Sequence, residues 1–179
     1  MAPFIPTFVP FHCYDMLTRF QMADMARTLF TDAVPTAGME QFVADFAAYR
    51  LDEVLGALKP YRNVVLNAVE RTTRRWNIPF SIETAEEFYR TVPTWGPHAD
   101  VSAGLAKVAR EIPLVILSNA SDDQIQSNVD KLGAPFHRVY TAQQAQAYKP
   151  RLRAFEFMLD SLNCNPDDVL PCRRACATT

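Results

Sequence analysis

The chain has 179 residues, of which 49% are hydrophobic, and its formal net charge at pH 7 is -2. This length and composition predict a globular protein with one well-buried core and room for a small second module, and they exclude a disordered chain. Because no basic stripe accompanies this charge, there is no electrostatic reason to expect nucleic acid or an anionic membrane as a partner. A small-molecule ligand is therefore predicted.

The sequence also indicates a cytoplasmic protein without a cofactor. No apolar run approaches the roughly 20 residues of a membrane span, and the N-terminus has neither a basic start nor a signal-type apolar stretch. The cysteines match no zinc-binding spacing, and we assign no role to these thiols: Cys13, Cys164, Cys172 and Cys176. Five glycines leave little room for a phosphate-binding loop.

The first half of the chain predicts one strand followed by helices. Residues 4–14 are apolar and aromatic, as in a central strand, although Pro6 and Pro10 each remove a backbone donor from it. Apolar residues then recur at helical spacing, most clearly over residues 39–58. The predicted helices span residues 18–30, 39–58, 61–76 and 84–90, and Thr84 is the expected cap of the last one.

The second half of the chain alternates between helices and strands. Residues 92–98 contain two prolines and a glycine, which mark the expected boundary between modules. Helices are predicted at 99–110, 121–132 and 151–162, and strands at 113–117, 138–140 and from 168 onward. This alternation predicts an α/β fold with a doubly wound parallel sheet. The expected domains are an α/β core of residues 1–20 and 97–179 and an inserted helical cap of residues 21–96.

Polar side chains are predicted to gather where the strands end. The continuous apolar run of residues 114–117 is typical of a buried parallel strand, and Ser118 and Asn119 follow it directly. Ligands bind at the carboxyl ends of such strands. Lys149 lies in a loop from which its ammonium can reach the same edge. Two alternatives stay open here: Ser118 and Asn119 only cap the next helix, and Lys149 is a surface lysine.

The order of these features resembles the haloacid dehalogenase (HAD) superfamily, and specifically the type II (S)-2-haloacid dehalogenases. The resemblance rests on the sequence Leu-Ser-Asn-Ala-Ser at 117–121, on Tyr-Lys-Pro at 148–150, and on the helical insertion after the first strand. It covers about residues 8–170 and implies a HAD-like Rossmannoid core. In that family an aspartate after the first strand displaces halide from a 2-halo acid, and water hydrolyses the resulting ester.

The resemblance also implies the roles of single residues. Ser118 and Asn119 match the motif that orients the nucleophile and contacts substrate or departing halide, and Lys149 matches the lysine that steadies charge in the site. Tyr14 matches a tyrosine of the nucleophile segment and so joins the substrate-binding residues. Arg50 is the candidate for the substrate-binding arginine of the cap. Members of the family often pair through their cap helices, so a homodimer is expected.

Two departures from the family pattern predict an impaired enzyme. The family segment resembles Phe-Asp-x-Tyr-Gly-Thr-Leu, but here His12 replaces the nucleophilic aspartate, Asp15 the glycine and Met16 the threonine. A histidine cannot form the aspartyl ester. After Leu170 the sequence no longer follows the family, and we expect the C-terminal part of the core to be missing through truncation or a frameshift.

The leading hypothesis is therefore a hydrolase that acts on the carbon-halide bond of short 2-haloalkanoic acids and releases halide, impaired at His12. The first alternative is a catalytically inactive HAD-fold protein, either a binding protein or the product of a pseudogene. A magnesium-dependent phosphatase is less favoured, because Tyr14 stands where that branch needs a second aspartate.

Overall fold

The structure of this protein is a computed structural model, and it describes residues 6–170. Three strands and eight α-helices occur in this part of the chain. In chain order they are β1 (Val9–Phe11), α1 (Met22–Leu29), α2 (Met39–Leu55), α3 (Tyr61–Arg75), α4 (Ile82–Thr91), α5 (Val101–Val108), β2 (Leu114–Ser118), α6 (Asp122–Asp130), β3 (Phe136–Thr141), α7 (Ala142–Ala145) and α8 (Leu152–Leu162). Within residues 6–170, no helix is both long and apolar enough to cross a membrane.

The three strands form one parallel sheet in the order β1-β2-β3. In the central strand β2 all five residues are buried, which agrees with its continuous apolar sequence. Phe11 at the end of β1 lies opposite Ile116, and Ser118 at the end of β2 lies opposite Thr141. A parallel sheet with helices between its strands confirms the predicted fold class.

The structure corrects two strand predictions. Within residues 6–14 the first strand is only Val9–Phe11, because the chain turns directly after it; the part of the prediction at residues 4 and 5 lies outside the described residues. The strand expected from residue 168 appears in the described part only as a parallel bridge between Phe8 and Val169. The N–H of Leu170 donates to the Phe8 carbonyl at 3.1 Å on the same edge. The predicted loss of the C-terminal core falls on residues 171–179, outside the described part of the chain.

The chain divides into two compact units, one of residues 20–95 and the other of the flanking sequence on both sides. We call them the inserted unit and the sheet unit. The predicted module limits, 20/21 and 96/97, each differ by one residue from this division. That the inserted unit acts as a cap stays a prediction.

The sheet unit is organised around the apolar side chains of β2. Val115 and Leu117 pack in one cluster with Tyr140 of β3 and Met158 of α8. Half-buried side chains extend this cluster: Phe8, Phe157, Leu159 and Leu162. This packing joins the central strand to β3 and α8, and Phe8, which directly precedes β1, packs against the same cluster.

The inserted unit has a core of aromatic and β-branched side chains. Phe42 contacts Phe30 with ring centroids 4.7 Å apart, and Phe46 contacts Phe88 at 4.9 Å. The last helix of this unit, α4, begins after Ser81, whose hydroxyl accepts the N–H of Thr84 at 3.1 Å. The prediction that Thr84 caps this helix is therefore wrong: Thr84 supplies the backbone donor, and Ser81 the capping oxygen.

A buried carboxylate joins two helices of the inserted unit. Glu53 of α2 is 8% exposed, and it accepts hydrogen bonds from Asn67 at 2.9 Å, from Arg71 at 2.8 Å and from Lys59. Burial alone would raise the pKa of Glu53, but these hydrogen bonds outweigh burial and lower the pKa to about 2. Glu53 is therefore ionised at neutral pH and satisfied on both oxygens.

Candidate active site

The sequence-predicted polar residues of the sheet unit meet at the carboxyl edge of the sheet. His12 directly follows β1, Ser118 is the last residue of β2, and Asn119 follows it. Because β1 and β2 are parallel neighbours, their ends lie at the same edge. His12 and Asn119 are half-buried there, whereas Ser118 is only 1% exposed.

Lys149 reaches this edge from the loop before α8. Its Nζ lies 3.0 Å from Nδ1 of His12, and it also donates a hydrogen bond to the backbone carbonyl of Leu117. If the ammonium donates to Nδ1, the ring proton of His12 is on Nε2. The alternative that Lys149 is merely a surface lysine does not hold, because its amine bridges the ends of two strands.

Asn119 holds the backbone of Lys149 through a pair of hydrogen bonds. Its Oδ1 accepts the Lys149 N–H at 2.7 Å, and its Nδ2 donates to the Lys149 carbonyl at 3.0 Å. Asn119 therefore positions Lys149 instead of capping the next helix, whose N-cap position belongs to Ser121. The capping alternative is thus wrong for Asn119.

The surroundings of Lys149 lower its proton affinity. Burial is the main cause, and it lowers the pKa of Lys149 to about 8, although the nearby Cys13 opposes this shift. Cys13 is itself fully buried, and burial raises the pKa of its thiol to about 11. At neutral pH the site therefore holds a protonated lysine and a neutral thiol.

The Ser118 hydroxyl is a buried polar group without a partner. Its Oγ makes no hydrogen bond with any part of the chain that the structure describes. A buried hydroxyl left without a hydrogen bond costs about 1–3 kcal/mol. A polar group of a bound ligand, or a carboxylate at position 12, is the kind of partner that would satisfy it.

The turn after His12 contains a residue in the left-handed conformation. Asp15 has a φ of 69°, a value that glycine adopts more easily than any other residue. Asp15 and Thr18 nevertheless close the turn, because the N–H of Asp15 donates to the Thr18 carbonyl at 2.7 Å. A glycine, which the family segment that this sequence resembles has at this position, would suit this backbone, and the aspartate tolerates it.

Tyr14 connects the turn after β1 to α6 of the sheet unit. Its hydroxyl donates to Oδ1 of the buried Asn128 at 3.0 Å, which ties this turn to α6. Within residues 6–170, no group of three or more His, Cys, Asp or Glu side chains is placed to hold a metal ion. Tyr14 as a substrate-binding residue stays a prediction.

Arg50 belongs to the inserted unit, where it lies on α2. Its guanidinium stacks on the ring of Phe20 at 4.7 Å from the centroid, and its buried Nε has no partner among the described residues. The four residues that the structure brings together all belong to the sheet unit: His12, Ser118, Asn119 and Lys149. Substrate binding by Arg50 stays a prediction.

Two contacts of the site had no signal in the sequence. The Leu117 carbonyl accepts from Lys149, but a backbone carbonyl carries no residue-type information. The thiol of Cys13 lies 3.7 Å from the hydroxyl of Thr18, so this cysteine is part of the turn. Its position directly after His12 was the only available hint.

Comparison with known proteins places these residues in a family context. A family model described as "Haloacid dehalogenase-like hydrolase" matches residues 29–171. No curated protein sequence matches the chain. Many solved structures, by contrast, share its fold.

Three of these structures are dehalogenases by their names. The L-2-haloacid dehalogenase RSc1362 superposes with a TM-score of 0.75 at 18% identity, over 92% of this chain and 76% of that one. The L-2-haloacid dehalogenase from Xanthobacter autotrophicus with chloropropionic acid covalently bound superposes with a TM-score of 0.75 at 19% identity, over 92% of this chain and 68% of that one. A dehalogenase with an intermediate complex superposes with a TM-score of 0.76 at 19% identity, over 94% of this chain and 76% of that one. At identities of 18–19%, this structural similarity is evidence for the fold alone.

Proposed function

Since the chain belongs to the haloacid dehalogenase-like hydrolases, we propose that its site is that of a hydrolase of short 2-haloalkanoic acids, impaired because His12 occupies the nucleophile position. The observation that carries this proposal is the 3.0 Å contact between His12 Nδ1 and Lys149 Nζ at the carboxyl edge of the sheet. A carboxylate at position 12 would have an ammonium beside it, which favours its ionised form.

The chemistry of the two side chains explains the impairment. A carboxylate oxygen that attacks the carbon bearing the halogen releases halide and leaves an ester, whose acyl carbon water can attack to return the carboxylate. An imidazole nitrogen that attacks the same carbon also releases halide but leaves an alkylated ring. Because the new bond between ring nitrogen and substrate carbon contains no ester carbonyl, water cannot release the product and regenerate the side chain, and turnover stops.

The other residues of the site retain their roles in this proposal. Asn119 fixes the backbone of Lys149 from both sides, and the amine of Lys149 lies where it would steady a carboxylate at position 12. The partnerless Ser118 hydroxyl is available to donate to a substrate carboxylate or to a departing halide. Binding of a 2-halo acid without turnover would therefore be the behaviour of this chain.

The proposal is tested by restoring the aspartate. Halide release from 2-chloropropionate and chloroacetate is measured for the unaltered chain, for His12→Asp, and for a triple variant that adds Asp15→Gly and Met16→Thr. We expect no turnover by the unaltered chain and catalytic halide release by at least one restored variant. His12→Asn is the matched control, since its amide has the size of the aspartate without its nucleophilic oxygen.

Two results would contradict the proposal. Sustained turnover by the unaltered chain would show that His12 does not impair it. The absence of both halide release and a covalent adduct, detected by intact mass, in the triple variant would reject the dehalogenase site itself.

A further inference from the structure

An open apolar groove runs beside the site along α8. It has a volume of about 630 Å³, and its walls include Phe11, Met158 and Leu159. Two further apolar side chains on α8 line it while reaching into solvent: Leu152 is 74% exposed and Phe155 is 38% exposed. Pockets of this size and lining are typical of small-molecule sites.

A cation lies on the wall of this groove. Lys149 and His12 both line it, and the pKa of Lys149 leaves the amine protonated at neutral pH. Lys149 forms no ion pair with any carboxylate of residues 6–170. Glu156 is exposed and also lines the groove, but it forms no ion pair with Lys149. A partly buried ammonium without a counterion favours an anionic ligand.

We propose that this groove binds a straight-chain monocarboxylate of medium length, with its carboxylate at Lys149 and its alkyl chain along α8. The charge of Lys149 and the apolar wall of Phe155 and Leu159 are complementary to the two ends of such a molecule. A 2-halo acid of two or three carbons would leave most of the groove empty. The inference does not rest on the proposed hydrolase activity.

The apolar wall predicts a specific dependence on chain length. Each methylene group that leaves water contributes about 0.8 kcal/mol, so each added carbon should lower Kd about fourfold while it still lies in the groove. The series hexanoate, octanoate and decanoate should show this progression. Decanol and decyltrimethylammonium match decanoate in length but lack its negative charge, so both should bind at least about tenfold more weakly.

The test is isothermal titration calorimetry of the full chain with decanoate, below the concentration at which decanoate forms micelles. We expect Phe155→Gln and Leu159→Gln each to raise Kd about tenfold or more. Lys149→Met should remove the preference for decanoate over decanol. Leu51→Gln is the matched control, because Leu51 is 56% exposed on the inserted unit, and it should leave Kd unchanged.

Several results would overturn this proposal. Equal binding of decanoate and decanol would show an apolar surface without a carboxylate site. An absence of decanoate binding to the unaltered chain would show that the groove is not a ligand site. A dimer that Phe155→Gln dissociates, measured by sedimentation and unaffected by decanoate, would assign the groove to a second copy of the chain. Halide release by the restored His12→Asp variants is a separate readout and decides only the hydrolase proposal.

Discussion

Replacing Lys149 by methionine should leave the protein as stable at pH 7 as it is now, or up to about 2 kcal/mol more stable. The pKa of Lys149 is lowered from 10.5 to about 8. At about 1.36 kcal/mol per pKa unit, keeping this amine protonated in the folded state costs up to about 3.4 kcal/mol. Lys149 is partly exposed, so solvent screening makes this figure an upper limit.

Two contacts oppose this gain in the methionine variant. The Leu117 carbonyl loses the donor that Lys149 supplies, which costs about 1–3 kcal/mol if no water replaces it. Nδ1 of His12 loses the same partner. The balance of these terms gives the expected range from zero to about 2 kcal/mol in favour of the variant. A lysine kept at this cost is more easily understood as a functional residue than as a stabilising one.

The lowered pKa of Lys149 also determines how the stability of the unaltered chain changes with pH. Because the folded pKa of Lys149 lies below the unfolded one, the folded state binds fewer protons between pH 8 and 10.5, and the stability of the unaltered chain rises with pH in this window. Relative to Lys149→Met, the unaltered chain should gain about 1 kcal/mol between pH 8 and 9.5. The raised pKa of Cys13 has the opposite effect between pH 9 and 11, and loss of the Lys149 charge would raise this pKa further. Up to pH 9.5, however, the folded thiol is protonated in both proteins, so its effect cancels in the comparison.

Urea unfolding at pH 7, 8 and 9.5 measures these differences. Far-UV circular dichroism follows both units, whereas Trp76 and Trp95 report only on the inserted unit. Lys107→Met, which removes an exposed lysine of α5, is the matched control and should show no such pH dependence relative to the unaltered chain. The reasoning is refuted if Lys149→Met is more than about 2 kcal/mol less stable at pH 7, or if both proteins have the same pH profile.

Three further predictions concern stability elsewhere in the chain. Glu53→Gln should lower the free energy of unfolding by about 1–3 kcal/mol at pH 7, because it leaves Lys59 and Arg71 without their shared carboxylate. This difference should vanish as the pH falls from 4.5 towards 2. A difference that stays constant with pH would contradict the lowered pKa of Glu53. Asp15→Gly should change thermal stability little, whereas Asp15→Val should cost about 1–2 kcal/mol, since a β-branched residue resists a positive φ. Equal melting temperatures for these two variants would argue against the positive φ at position 15. Phe88→Ala in the inserted unit should cost about 3–5 kcal/mol by urea unfolding, against less than about 1 kcal/mol for the exposed Phe80→Ala.

The sheet and its edge were predictable because they depend on patterns that the sequence displays directly. The apolar run of β2 indicated a buried strand, and parallel strands must end at one edge. This geometry brings His12 and Lys149 together although 137 residues separate them. The type and place of most helices followed in the same way from their apolar spacing.

Other features were not predictable because they depend on tertiary contacts. The aromatic residues before Val9 suggested a longer first strand, but strand length is set by pairing with β2, which ends where the chain turns. Ser81 and Thr84 are both acceptable caps by residue type, and only the hydrogen bond distinguishes them. Asn119 could have capped a helix as well as held Lys149, since an asparagine amide serves either purpose.

The division of the sheet unit by the inserted unit has a consequence for folding. β1 and β2 are paired, yet the whole of residues 20–95 lies between them in the sequence. The inserted unit is continuous, so all of its contacts are available as soon as residue 95 has been synthesised. The sheet must wait for β2 and close a loop of this length, which slows folding more than it lowers stability. On a ribosome, the inserted unit should therefore acquire its structure while β1 still lacks a neighbour.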